Sequence, residues 1–562
     1  MPSTTPLLTR FLNSFASKYP GRRMAAFGIA IVCAMHVTGC ATPPRQKPID
    51  ARAAQANQML QHADRKRAQD PAQAMGVYLS VAEKSLALTT DKTESAAVRT
   101  QAERIYNTAV TDCALTLQKL KPTSAHGSYW TFSDGHTTYK LRIASSGGTG
   151  VENPARFDRL MNSRDVKRKH LNSDTERAGI GGTLLGIQDS AKTNVPHRPP
   201  NGFAEPLTAV IAFGKPSHGG DTAELSFYDP RVRDHVTLNN KTYPLKGDFT
   251  APLAFFPKPR GIFGIVAMLR SDRVVNKAGL YFCEPYNPNK IPVLFVHGLM
   301  SSPHTWINFI NELNNDPEFR RHYQSWLFLY PSGAPIGGTA MKLREDLATA
   351  ATHYPLKHNL IIVGHSMGGI LTRMQVTDTS NRQLWNGVFG KASDQFYAVF
   401  PSNSLIKKAL IFKANPYVTR VIYISTPHQG SDLATLRISQ LGSMLIRLPA
   451  KLIKALDPQT KQALKSVSPQ LRTAPNSILS LSPKSPLLKT LSNLPMTVPC
   501  HSIIGNRGKD NEPLAKTSDG VVPYWSSHVA AAKSEIIVPT GHDAFNNPRS
   551  VKEVLRILKL KP

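Results

Sequence analysis

The stretch Asn359–Leu371, NLIIVGHSMGGIL, constrains the fold more than any other part of this sequence. A short apolar run bounded by glycine reads as a strand buried on both faces, and the segment directly after it reads as a helix. Between them, Gly364-His365-Ser366-Met367-Gly368 places one serine on a sharp turn, flanked by residues small enough for strand and helix to approach closely. That context exposes the Ser366 hydroxyl at a strand tip and aims the first amides of the following helix at whatever it attacks. A serine hydroxyl is a poor nucleophile until a base removes its proton, so the pattern demands a histidine and an orienting acid further along.

Both are found near the C-terminus. KTSDGVVPYWSSH follows the strand candidate HSIIG, and GHDAFNN follows the strand candidate SEIIVPTG. Asp519 and His542 would then lie at the carboxyl ends of parallel strands, on the same edge as Ser366, in the chain order Ser, Asp, His. Asp432, after the strand RVIYIST, is the alternative acid, with Asp510 behind it. His528, His428 and His365 are the rival bases. His428 is expected to hydrogen-bond within its own turn, and Asp543 to cap the segment that follows it.

Around these points, IPVLFVHGLM, SWLFLYPSG, NLIIVG, RVIYIST, TVPCHSIIG and SEIIVPTG alternate with helical patterns. Strands alternating with helices give right-handed crossovers and a mostly parallel sheet. Residues 286–562 therefore read as one α/β domain, with insertions at 380–418 and 431–495. The second insertion carries Leu433, Leu436, Leu441, Leu445 and Leu448 on one helical face, among Arg437, Arg447, Lys451 and Lys454. It reads as a cap, or as a lid that opens at a lipid surface.

Chain length argues for more than one domain. Residues 50–125 are helical in pattern, with Asp70-Pro71 as a helix start, and suit a spacer or docking bundle. From 126 to 285 the period changes to two, in SYWTFSDGHTTYKLRIA, LTAVIAFG, AELSFYD, APLAFFP and GIFGIVAML, so a β-rich domain is expected. The basic, Gly- and Pro-broken residues 160–202 read as an exposed loop within it.

Sixty-eight basic against 38 acidic residues give a net charge of +30. Such an excess suits nucleic acid or anionic lipid and envelope polymers. No RNA-stacking motif or zinc-finger spacing is present, so no nucleic-acid partner is expected. The N-terminus favours the envelope. Arg22-Arg23 precede MAAFGIAIVCAMHV, of signal-peptide length, and Val37-Thr38-Gly39-Cys40-Ala41 resembles a bacterial lipobox. Residues 1–39 are then a lipoprotein signal peptide, Cys40 the lipidated residue, and 40–49 a tether. Ala41 lacks the aspartate that retains lipoproteins at the inner membrane, which favours the outer one. Cys113, Cys283 and Cys500 are expected as buried thiols, and no spacing suggests a metal or cofactor.

Taken together, FVHGLMSSPHTW, YPSGAPIGG, VGHSMGGIL, ISTPHQGSDLA, SDGVVP and GHDAF resemble bacterial lipases and the related GPI-inositol-deacylase-like α/β-hydrolases. The resemblance covers about half of the chain and leaves the first 285 residues open. It implies an α/β-hydrolase fold with helical cap insertions, and a serine hydrolase of carboxylic esters working through an acyl-enzyme. It also implies that the amides of Leu299 and Met367 form the oxyanion hole. Acyltransferase or peptidase chemistry on the same residues, and a non-enzymatic envelope scaffold, are the alternatives.

Overall fold

The computed structural model describes residues 50–120, 129–144, 150, 152–169, 171–189, 196–217, 220–256, 278–356, 360–432, 481–508 and 512–561. Three helices come first: α1 (Ala51–Lys66), α2 (Pro71–Thr90) and α3 (Ala96–Leu120). Asp50 and Asp70 cap the first two, each side chain accepting a backbone N–H of the first turn, and Pro71 occupies a position where no N–H is needed. Among the described residues no helix is long and apolar enough to cross a membrane.

The helices lie on a sheet. Strands β1 (Trp130–Ser133), β2 (Thr138–Ile143), β3 (Arg159–Asn162), β5 (Gly182–Gln188), β6 (Phe203–Ser217) and β7 (Gly220–Tyr228) pair in the order β1-β2-β7-β6-β5-β3. Two small pairs flank it, β4 (Glu176–Arg177) with β10 (Gly247–Asp248), and β8 (His235–Leu238) with β9 (Lys241–Pro244). Tyr78, Tyr106 and Val110 of the helices share one apolar core with Leu184, Ile211 and Leu225 of the sheet. Buried polar bonds fix the two layers: the Tyr106 hydroxyl donates to Ile211 O and accepts from Ile211 N, and Asn107 bonds both Gly179 O and Gly181 N. The helical segment is thus one layer of this body.

Two local expectations fail here. Residues 160–202 contain β5, buried along most of its length, because the run GGTLLGIQ sits between basic flanks that masked it. APLAFFP is no strand: Thr250–Phe255 is a helix, in whose first turn Pro252 sacrifices no hydrogen bond. GIFGIVAML lies outside the described residues.

A second sheet follows, of β11 (Gly279–Phe282), β12 (Ile291–Val296), β13 (Tyr323–Leu329), β14 (Leu360–His365), β15 (Val418–Ile424), β16 (Cys500–Gly505) and β17 (Ser534–Val538). Its order is β11-β13-β12-β14-β15-β16-β17. Only β11 runs antiparallel, at one edge; the remaining pairs are parallel. The sheet thus begins before residue 286, since β11 takes its hydrogen bonds from β13. Apolar residues cover both faces, Trp326, Ile362 and Tyr423 on one and Phe295, Val363 and Ile503 on the other. This is why each strand reads as a continuous apolar run.

Buried polar contacts join the two bodies. Arg231 bonds Asp229, Glu205 and Glu284, and Lys290 adds a second cation 3.0 Å from Glu284. Asn311 donates to Ser173 O and accepts from the Thr250 hydroxyl. The insertion 380–418 forms the short helices Gln383–Phe389, Ser393–Val399 and Leu405–Leu410, and Trp385 is fully enclosed among Phe389, Tyr397 and Phe400. It packs into the apolar core on one face of the second sheet. The leucine-rich segment 433–480, with the proposed lid face, lies outside the described residues, as do residues 1–49 and Asp510.

Candidate active site

Ser366 stands between β14 and the helix Met367–Arg373 with φ 54° and ψ −127°. A residue with a Cβ holds that region only under constraint, at a cost of about 1–3 kcal/mol, and such strain gathers at working sites. The constraint is tight packing of helix on sheet. A Cβ added to Gly368 would come within 2.3 Å of Val296 O, so only glycine lets the helix seat against β12.

Parallel pairing puts the ends of β14, β16 and β17 on one edge, and the loops there bring three side chains into bonding contact. His542 Nε2 is 2.8 Å from Ser366 Oγ, and His542 Nδ1 is 2.8 Å from Asp519 Oδ2. Asp519 Oδ1 accepts the Val521 and Val522 amides at 2.8 and 2.7 Å. The carboxylate is 1% exposed. Burial pushes its pKa up, but the His542 contact and the two amides outweigh that and hold it below the usual range. Asp519 is therefore ionised and spends one oxygen on main chain, the other on the imidazole.

Around this chain of bonds, two further histidines work as supports. His365 Nε2 donates to the His542 carbonyl at 2.8 Å, which fixes the backbone that carries the base. Burial, then the neighbouring His542, pushes its pKa down to about 3, so it is neutral. His297 stacks on Tyr330 with ring centroids 4.1 Å apart, and the Tyr330 hydroxyl donates to His297 O. That pair braces the turn leading to Leu299. Met300, at φ 56°, donates its amide to Ser332 Oγ at 3.1 Å. Among the described residues, the amides of Leu299 and Met367 donate to no protein acceptor.

The other candidates fall away from the base. Asp432 is exposed, and no hydrogen bond joins it to His542. His528 pairs with Glu535 at 2.8 Å. His428 meets its own turn only through its backbone N–H, bonded to Thr426 O; its ring accepts from Arg373 at 3.3 Å. Burial and that cation push its pKa well down. Asp543 does not cap with its side chain either: its carbonyl accepts the Asn546 amide, leaving the carboxylate in solvent. Cys113, Cys283 and Cys500 are free, with Cys113 and Cys500 buried.

A cavity of about 440 Å³ opens beside Asp519 and His542, lined also by Ser301, Thr305, Arg507 and Asp543. The supports and Arg507 escaped the sequence reading, because a carbonyl contact across 177 residues leaves no local signal.

A family model described as alpha/beta hydrolase fold matches residues 291–378. This chain has the α/β-hydrolase fold. Similar solved structures include the mature lipase BlEst2 of Bacillus licheniformis, 18% identical with a TM-score of 0.31, covering 50% of this chain and 97% of that one. Lipase 1 of Pelosinus fermentans is 14% identical with a TM-score of 0.30, covering 49% and 100%. EstA of Clostridium botulinum is 14% identical with a TM-score of 0.29, covering 45% and 82%. No curated protein matches the sequence. In this fold Ser366 follows β14, Asp519 lies in the loop after β16 and His542 in the loop after β17.

Proposed function

We propose that the protein is a serine hydrolase of carboxylic esters, of the esterase or lipase type. The hydrogen-bonded chain Ser366–His542–Asp519 carries this reading. Ser366 Oγ attacks the ester carbonyl while His542 Nε2 takes its proton, and Asp519 stabilises the resulting imidazolium. The tetrahedral oxyanion takes the amides of Leu299 and Met367, which are free to donate. Collapse breaks the C–O bond, His542 returns the proton to the departing alkoxide, and an acyl-Ser366 remains. Water, deprotonated by His542, then repeats the attack and releases the acid. The cycle runs on three side chains, two amides and water.

A fluorophosphonate probe tests this directly, since it is captured only by an activated serine. Labelling is expected at Ser366, identified by peptide mapping, and to disappear when the protein is denatured first. An unlabelled native protein would count against the enzyme and favour the envelope scaffold.

The same reading places the enzyme on a membrane, anchored through lipidated Cys40 with the outer membrane favoured. Support comes from the sequence Val37–Ala41 after an apolar segment. Cys40→Ser is expected to move the protein from the membrane pellet to the soluble fraction, and unchanged pelleting would remove the lipid anchor.

A further inference from the structure

We infer that Arg507 selects substrates whose alcohol portion carries an oxyanion, a phosphate or a carboxylate, and this rests on the hydrolase reading above. Arg507, at the start of the loop after β16, lies against the later part of that loop, which holds Asp519, and against the loop after β17, which holds His542. A Cβ at Gly541, the residue before His542, would lie 2.8 Å from Arg507 Nε and 2.9 Å from one of its terminal nitrogens. A Cβ at Gly520, next to Asp519, would lie 3.1 Å from the other. The guanidinium therefore rests on backbone at both glycines, within the cavity beside the histidine.

Among the described residues its charge has no ion-pair partner. Arg507 is exposed, its backbone N–H bonds Ser518 O, and among the described residues no carboxylate or other acceptor takes its guanidinium. Other placed guanidinium groups have acceptors: Arg231 has three carboxylates, Arg168 has Asp174, Glu176 and Asp248, and Arg373 and Arg420 have main-chain carbonyls. Asp543 lines the same cavity but stands in solvent and forms no ion pair with Arg507.

Chemistry says which half of the substrate meets this cation. His542 must reach the departing oxygen to protonate it, so the space flanking His542 receives the alcohol half of the ester. That space is mixed here, with Ser301, Thr305 and Arg507 on its walls beside the apolar Val521 and Phe545. A planar guanidinium offers paired donors suited to phosphate or carboxylate. An alcohol with an anionic group a few bonds from the ester oxygen would span from His542 to Arg507.

The test separates binding from turnover. Full-length Ser366→Ala protein is titrated with 1-octanoylglycerol, 1-octanoylglycerol 3-phosphate and 3-octanoylglycerate below their aggregation limits. Both anionic ligands are expected to bind more tightly than the neutral one, and the tighter of the two identifies the oxyanion. Adding Arg507→Gln should weaken the anionic ligands relative to the neutral one by about tenfold, as for loss of one charge-assisted contact. Arg507→Lys should restore part of the preference. Equal binding of all three ligands, or equal weakening of all three by Arg507→Gln, overturns the assignment and makes Arg507 a strut for the two loops. A wild-type protein that binds with this preference but hydrolyses no ester would refute the hydrolase reading alone.

Discussion

Ser366→Ala is expected to reduce turnover of a soluble short-chain ester by about three orders of magnitude or more. The hydroxyl is both the atom that forms the acyl bond and the donor that His542 must deprotonate, so nothing nearby replaces it. His365 and His297, the adjacent imidazoles, are buried and each spends a ring N–H on a main-chain carbonyl, which fixes them as supports. Stability should hardly change. Alanine keeps the Cβ that the φ 54° backbone already tolerates, and among the described residues the side-chain bond lost is the one to the half-buried His542, worth about 1 kcal/mol. The pair of measurements, kcat beside a denaturation midpoint, separates a chemical role from a structural one. Near-normal turnover would remove Ser366 from the mechanism, and a large loss of stability would make the turn a folding element.

How much of this was legible in the sequence follows from the range of each signal. Runs such as IPVLFV and LIIVGH announce themselves, because a central parallel strand is buried on both sides and can carry little else. Ser366 is local in the same sense: the glycines that let helix meet strand are its sequence neighbours. Asp519 and His542 could be chosen by chain order and by position after a strand, since parallel topology maps strand ends onto one edge. Side-chain pairings across the fold were not legible. Arg373 meeting His428, and His365 meeting the His542 carbonyl, depend on how loops from distant segments close. Short apolar pieces misled for a different reason. Six residues around Thr250–Phe255 fit either period, and tertiary packing chose the helix. In β5 the charge of the flanks outweighed the run between them, although burial follows the run.

Asp519→Asn is expected to cost up to about four orders of magnitude in kcat, against less than about twofold for Asp432→Asn. The reason lies in how the carboxylate is shared. Oδ1 accepts two amides, from Val521 and Val522, while Oδ2 faces His542 Nδ1. In an asparagine only the carbonyl oxygen can take those amides, so the NH2 group must turn to the histidine. It would donate to Nδ1 and move the imidazole proton to Nε2, where it faces Ser366. That tautomer cannot accept the serine proton, and the neutral amide cannot stabilise an imidazolium. The side chain keeps its size and its main-chain bonds, so the fold should survive and fluorophosphonate labelling should slow in step with kcat. Asp432, exposed and unconnected to His542, has no such leverage. A larger loss in Asp432→Asn would move the acid to the loop after β15, and with it the tautomer argument. Equal small losses would mean that His542 works without a carboxylate partner.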